Sequence, residues 1–199
     1  MTATTVPRAN QREHILDEAL KLMSAQGSAG MSMRQLAMAC GVQVAAIYHY
    51  FPSKEALLQS VFEERRYATR LAEEEDLVPI PSDGTVAERL RAVFEKFWNG
   101  MLGEEEVIRL LLGEALRNQP YALPTGTALL EVFRAGVHAL MTQHVPELEE
   151  TDTVTELFIA QIFAGFIRHI FDPATDTDVI AAELADTLVA VLVPDSARA

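Results

Sequence analysis

Ser32-Met-Arg-Gln-Leu-Ala-Met-Ala-Cys-Gly41-Val-Gln-Val-Ala-Ala-Ile-Tyr48-His-Tyr-Phe51-Pro-Ser-Lys54 is the stretch that decides how this chain folds. It reads as two short helices around a glycine turn, an aromatic run, and the capped start of a third helix. Ser32 is a favoured N-cap, and Gln35, three residues on, completes a capping box. Leu36, Ala37 and Cys40 give the first helix an apolar face. Gly41 permits the left-handed backbone that ends a helix and turns the chain. Val42 restarts the apolar pattern, and Ala46 and Ile47 continue it inward. These small and branched side chains let the second helix pack close to the first. Such a pair is a helix-turn-helix, a common device for putting a helix into the DNA major groove.

The outward face of the second helix is expected to hold Gln43, Val44, Ala45, Tyr48 and His49. These would carry what base reading there is. Tyr48, His49 and Tyr50 have polar tips that can reach phosphates and bases. Pro52 bars continuation of that helix, and Ser53 caps the next one. The free backbone N–H groups there attract an anion, and Lys54 adds positive charge. Lys54, Tyr48, Tyr50 and the Ser32 cap with Arg34 are expected to fix position on phosphates. Capping boxes and glycine stops taken singly also fit a plain helical hairpin in a bundle.

The whole run resembles the N-terminal domain of the tetracycline-repressor (TetR) family of one-component bacterial regulators. The resemblance extends upstream through Arg12-Glu-His-Ile-Leu-Asp-Glu-Ala-Leu-Lys-Leu-Met23 and Gly27, and downstream through Ser53-Lys-Glu-Ala-Leu-Leu58. Tyr48-His-Tyr-Phe51 and Pro52-Ser-Lys54 are its most diagnostic segments. The family usually has a Ser or Thr cap where Gln43 stands, and often Lys or Arg where Val44 stands. Gln is a poorer N-cap, and Val44 can touch a thymine methyl but cannot pair with a phosphate. The operator is therefore expected to differ from a well-known one.

The resemblance implies an all-α fold: a three-helix helix-turn-helix domain over 8–55, a connecting helix over 54–76, and a helical-bundle ligand-binding and dimerisation domain over 56–199. It implies a ligand-responsive regulator, most often a repressor, that binds a palindromic operator in double-stranded DNA as a dimer. A small, largely apolar effector would release it, and no cofactor is expected. The competing class is an all-helical enzyme or a protein-interaction adaptor that keeps the fold without sequence-specific DNA binding.

Bulk properties agree with a folded helical protein. Hydrophobic residues make up 49% of the 199 residues, which excludes global disorder. No apolar run approaches the length of a membrane span, and the start lacks the apolar core of a signal peptide. The single cysteine, Cys40, cannot form an internal disulfide. A cytoplasmic location is expected. The formal net charge of −13 argues, taken alone, against nucleic-acid binding. Its distribution softens that objection. Residues 1–70 hold eight Lys/Arg against six Asp/Glu (+2), and the remainder holds eight against 23 (−15).

Periodicity and breakers predict about nine helices and no strands, over about 10–26, 33–40, 44–50, 54–76, 85–102, 104–118, 125–145, 152–171 and 177–192. The stripe Ile15, Leu16, Ala19, Leu20 and Met23 marks the core side of the first. Val78 to Gly84 is the best linker. The eighth helix carries apolar residues over most of its circumference, and a helix of that kind must be buried on nearly all sides. Ala160, Ala164 and Gly165 would let another helix approach closely. The expected solution is a four-helix bundle made by the last two helices of two copies, through Phe163, Phe166, Ile167, Ile170, Leu184, Leu188 and Val191.

No Gly-rich phosphate loop and no Cys pair with zinc spacing is present, and none of the five histidines shows the spacing of a helical metal site. By the resemblance, an effector would bind among the fifth to eighth helices. The expected lining is Phe94, Trp98, Met101, Leu111, Phe133, Val137, Met141, Phe158 and Ile162, with Glu114, Asn118, Arg134 and His138 as polar candidates. The same apolar residues could simply fill a core. Glu114 interrupts an apolar segment, and an outward-facing charge is its other reading.

Overall fold

A computed structural model describes residues 8–64, 80–120, 122–149 and 151–194. Among the described residues there are nine α-helices and no strand. They are α1 (Arg8–Gly30), α2 (Met33–Ala39), α3 (Val44–Tyr50), α4 (Lys54–Glu64), α5 (Val86–Gly103), α6 (Glu105–Leu116), α7 (Ala122–His144), α8 (Thr151–Phe171) and α9 (Thr177–Leu192). The expected continuation of the fourth helix to 76 lies outside the described residues, as do Val78 and Pro79 of the expected linker, while its residues 80–84 are described and are not helical.

The chain divides into two compact units. One holds α1 to α4, α6 and α7 as far as Ala128; the other holds α5, the rest of α7, α8 and α9. In the first unit the predicted stripe of α1 is the core: Ile15, Leu16, Ala19, Leu20 and Met23 are all buried. Around it gather Leu36 and Ala37 of α2, Ile47 of α3 with Phe51 at its C-cap, Leu57, Leu58 and Val61 of α4, and Val107 and Leu110 of α6. Burying side chains of this size contributes about 1.5–3 kcal/mol each, which offsets the ordering of these short helices.

Helix ends follow local chemistry. Inside α1, Gly27 breaks the helical backbone with φ 75° and ψ 157°, close to the predicted stop at Gln26. A Cβ there would lie 2.9 Å from Nη2 of Arg117, the movable end of a long side chain, so it is the positive φ that requires glycine. The end of α6 is a Schellman motif. Asn118 adopts φ 55°, its N–H donates to Ala115 O (2.9 Å), and Gln119 N–H donates to Glu114 O (3.1 Å). α7 starts at Ala122, three residues before the predicted start. Pro124 is tolerated because it sits in the first turn, where its missing N–H costs nothing.

The second unit is built on α5, whose start is a capping box the sequence reading did not name. Glu88 Oε2 accepts from Thr85 N–H (2.8 Å), and Glu88 N–H donates to Thr85 Oγ1 (3.2 Å). The Thr85 backbone and hydroxyl hold the Glu88 carboxyl below the usual carboxylate range. Val86, Leu90, Phe94, Trp98 and Met101 then face inward. Edge-on ring contacts join Phe94 to Phe158 (5.3 Å), Phe97 to Phe133 (5.0 Å) and Phe97 to Phe158 (5.6 Å).

α8 is apolar over most of its circumference but is not covered over all of that apolar surface. It is long and apolar enough to cross a membrane by length and composition, and only 33% of its most apolar 18 residues is buried. Phe158, Ile162 and Phe166 face the unit's own core, while Leu157, Ala160, Ala164, Ile167 and Phe171 face outward.

Candidate functional site

The helix-turn-helix is held by three local devices. At its start, Ser32 Oγ accepts from Gln35 N–H (3.2 Å), and Gln35 Oε1 accepts from Ser32 N–H (2.8 Å). Two orphan donors of α2 are thus satisfied reciprocally. At the turn, Gly41 takes φ 66°. Its N–H donates to Met38 O (3.1 Å), and Val42 N–H donates to Ala37 O (2.9 Å), a second Schellman motif. A Cβ at Gly41 would meet nothing within 4 Å, so backbone conformation alone demands glycine. Beyond α3, Ala56 N–H donates to Ser53 Oγ (3.1 Å), starting α4.

α3 begins at Gln43 with no side-chain cap. Ile47 anchors it to the core with no exposed surface. Gln43, Ala45, Tyr48 and His49 are exposed, Tyr48 by 49%, and Ser32 and Arg34 of α2 are exposed beside them. Three expected contacts are placed differently. Val44 is half-buried and packs against the core. Tyr50 also packs there, and its hydroxyl donates to Gln11 Oε1 (3.4 Å), which turns its tip toward α1. The Lys54 ammonium donates to Met31 O (2.6 Å) and Ala29 O (3.5 Å). Its charge therefore serves carbonyls near the end of α1 rather than standing clear in solvent. The sequence reading also missed Met38, which is 77% exposed on α2, and Arg12, whose guanidinium lies 5.0 Å over the Phe51 ring.

Cys40 is half-buried on the apolar side of α2. Burial, aided by the Glu18 charge, pushes its thiol up to about 11. It stays protonated at neutral pH and makes a poor nucleophile.

The nine expected apolar lining residues and Glu114 are all buried, but they fall in two groups. Phe94, Trp98, Met101, Phe133, Val137, Met141, Phe158 and Ile162 belong to the second unit; Leu111 and Glu114 belong to the first. Glu114 is neither an outward charge nor free to orient a ligand. Its side chain is fully buried, Oε1 accepts from Ser28 N–H (3.2 Å), and Arg117 Nη1 lies 3.3 Å away. Asn118 serves as the helix stop, Arg134 pairs with Glu156, and His138 lies 3.4 Å from Asp152.

Two expected interface residues also move inward. Phe166 is fully buried, and Leu188 nearly so, inside the chain's own second unit. Gly165 receives Trp98 and Leu184 of the same chain: a Cβ there would collide with Leu184 Cδ1 and lie 2.9 Å from Trp98 Cζ3. Among the other expected interface residues, Ile167 is 44% and Val191 69% exposed, while Phe163, Ile170 and Leu184 are half-buried.

Comparison with known proteins gives a consistent picture. The family model for bacterial regulatory proteins of the tetR family matches residues 15–61. The chain is 39% identical over 202 residues to the nucleoid occlusion factor SlmA of Klebsiella pneumoniae, covering 92% of this chain and 100% of that protein. It is 44% identical over 52 residues to the transcriptional regulator AcrR of Shigella flexneri, covering 26% of this chain and only 24% of that protein. A solved structure of a putative transcriptional regulator from Saccharomonospora viridis, in complex with choline, superposes with a TM-score of 0.74 at 18% identity, covering 94% of this chain and 100% of that one.

Proposed function

The chain belongs to the tetR family of bacterial regulatory proteins, and from that premise we propose that it acts as a homodimeric repressor, released from a palindromic operator by a small molecule. It is a ligand-responsive DNA-binding transcriptional regulator. The observation that carries the reading is the exposed edge of α3. Gln43, Ala45, Tyr48 and His49 face water on a short helix whose turn and core anchor are fixed. A pre-ordered probe loses little entropy on entering a groove.

In this reading Gln43, Ala45 and His49 meet base edges, and Val44 reaches a thymine methyl with its exposed part. Tyr48, Ser32 and Arg34 meet phosphates. Tyr50 and Lys54 support the probe from behind and touch DNA only at its edge. Residues 8–55 form the reading head, the helix that begins at Lys54 connects it, and the rest binds effector and partner. The protein works in the cytoplasm, away from membranes.

The dimer uses the last two helices. Leu157, Ala160, Ala164, Ile167 and Phe171 recur at alternating steps of three and four, one apolar seam along α8. A second copy is the simplest cover for it, and two-fold symmetry sets two α3 helices about 34 Å apart, one turn of DNA. The effector binds one spacing of the heads better than the other, so ligand and DNA weaken each other reciprocally.

A second reading has a specific observation behind it. Full-length likeness to a nucleoid occlusion factor favours a DNA-binding role in nucleoid occlusion in place of effector-released repression. Fluorescence anisotropy with the promoter region beside the gene tests both. A sequence-specific complex is expected at low salt, and an effector that dissolves it selects the first reading. Absence of any specific complex contradicts both.

A further inference from the structure

The reading face of α3 carries no formal charge. From Gly41 to Tyr50 the chain has no Arg, Lys, Asp or Glu. Ala45, Tyr48 and His49 are exposed at steps of three and four and share one face of α3. Gln43 stands exposed at the leading end of that face. It is the N-cap of α3, yet its side chain makes no capping hydrogen bond. Two other glutamines of the head are used within the fold. Gln35 Oε1 accepts from Ser32 N–H (2.8 Å), and Gln11 Oε1 accepts from the Tyr50 hydroxyl (3.4 Å). Nearby cations are placed elsewhere. Lys54 Nζ donates to Met31 O (2.6 Å), and the Arg12 guanidinium lies 5.0 Å over the Phe51 ring. Arg34 belongs to α2, the helix that crosses the DNA backbone in this motif.

We propose that the base pairs read by α3 are A·T pairs in each half of the operator. Gln43 reads an adenine through its N6 and N7, and the Ala45 methyl packs on the C5-methyl of a thymine. This deepens, and rests on, the DNA-binding reading above. In the major groove a guanine is matched by a bidentate Arg or Lys, and a cytosine by a Glu or Asp that accepts from its N4 amine. Gln43 and α3 supply neither, so a G·C pair finds no matched reader on either strand. A carboxamide offers a donor and an acceptor side by side, which fits the N7 acceptor and N6 donor of adenine. The Ala45 side chain has no hydrogen bond to offer, and the thymine methyl is the apolar group exposed in that groove. Val44 packs against the core and leaves only its exposed part for a further methyl. A single donor from Tyr48 or His49 meets N7 of either purine, so it does not favour guanine over adenine.

The test is selection at low salt by the full-length protein from duplexes randomised over two helical turns, run in parallel with Gln43→Ala and Ala45→Gly. Gln43→Ala removes no capping bond, so it should fold as the wild type does. The wild type should enrich a palindrome. Gln43→Ala should relax one position in each half, and that position should hold adenine. Ala45→Gly should relax a position that holds thymine. On the enriched duplex, 7-deazaadenine for that adenine should weaken wild-type binding about fivefold, the contribution of one hydrogen bond, and Gln43→Ala binding by less than about twofold. Deoxyuridine for that thymine should weaken wild-type binding about fourfold, the contribution of one buried methyl, and Ala45→Gly binding by less than about twofold. Each penalty is a ratio within one protein, so a lowered stability of Ala45→Gly cancels. A G·C pair at either relaxed position, no relaxed position, or base-analogue penalties that persist undiminished in the variants would each overturn the assignment. If the wild type enriches a sequence while these fail, only the base assignment falls; if it enriches none, the DNA-binding reading falls with it.

Discussion

Gly41 makes the turn because its φ of 66° is open to glycine and costly to other residues. Space is not the constraint there, so Gly41→Val should destabilise the protein by backbone strain alone, about 1–2 kcal/mol. Urea denaturation measures this, and an unchanged midpoint would refute the role given to φ. Cys40 makes the opposite kind of prediction. With its thiol pushed up to about 11, alkylation by iodoacetamide should be slow at neutral pH and rise only as pH approaches that value. Rapid labelling at neutral pH would contradict the burial described. Residue roles were legible where partners lie within a turn. Ser32 and Gln35 were readable as a box because they satisfy each other three residues apart. Tyr50 and Lys54 were not, because Gln11 and Met31 lie 39 and 23 positions away.

Among elements, α6 departs furthest from what periodicity alone could reveal. Its apolar pattern was readable, but its packing against α1 was not, and that packing is what buries Glu114. The carboxylate meets an N–H 86 residues earlier in the chain, at Ser28. Glu114→Ala should therefore leave a buried donor unpaired and cost about 1–3 kcal/mol. Glu114→Gln keeps an acceptor oxygen for Ser28 and should cost less than Glu114→Ala. Thermal denaturation of both variants tests this, and equal losses would mean that the hydrogen bond contributes nothing. α8 teaches a related point. Its composition announced that a partner must cover it, but a helix apolar over most of its circumference carries little phase information. The sequence could not tell Phe166, which faces its own core, from Ile167, which faces out.

For the whole molecule, the exposed seam on α8 is expected to join two copies. Ile167→Arg should give monomers by analytical ultracentrifugation, because it sets a charge in the seam without disturbing the unit's own core. A dimer of unchanged mass would move the interface elsewhere. Net charge belongs to this scale as well. An acidic protein that reads DNA must rely on the local balance of its head, so its affinity should be modest and salt-sensitive. The central claim is that the exposed edge of α3 reads duplex DNA, and it is tested most directly by comparing wild type and Tyr48→Ala on the same promoter fragment by fluorescence anisotropy, with dimer mass checked in parallel. The account predicts a specific complex for the wild type and none for a variant that is still a dimer. Undiminished binding by that variant would contradict it.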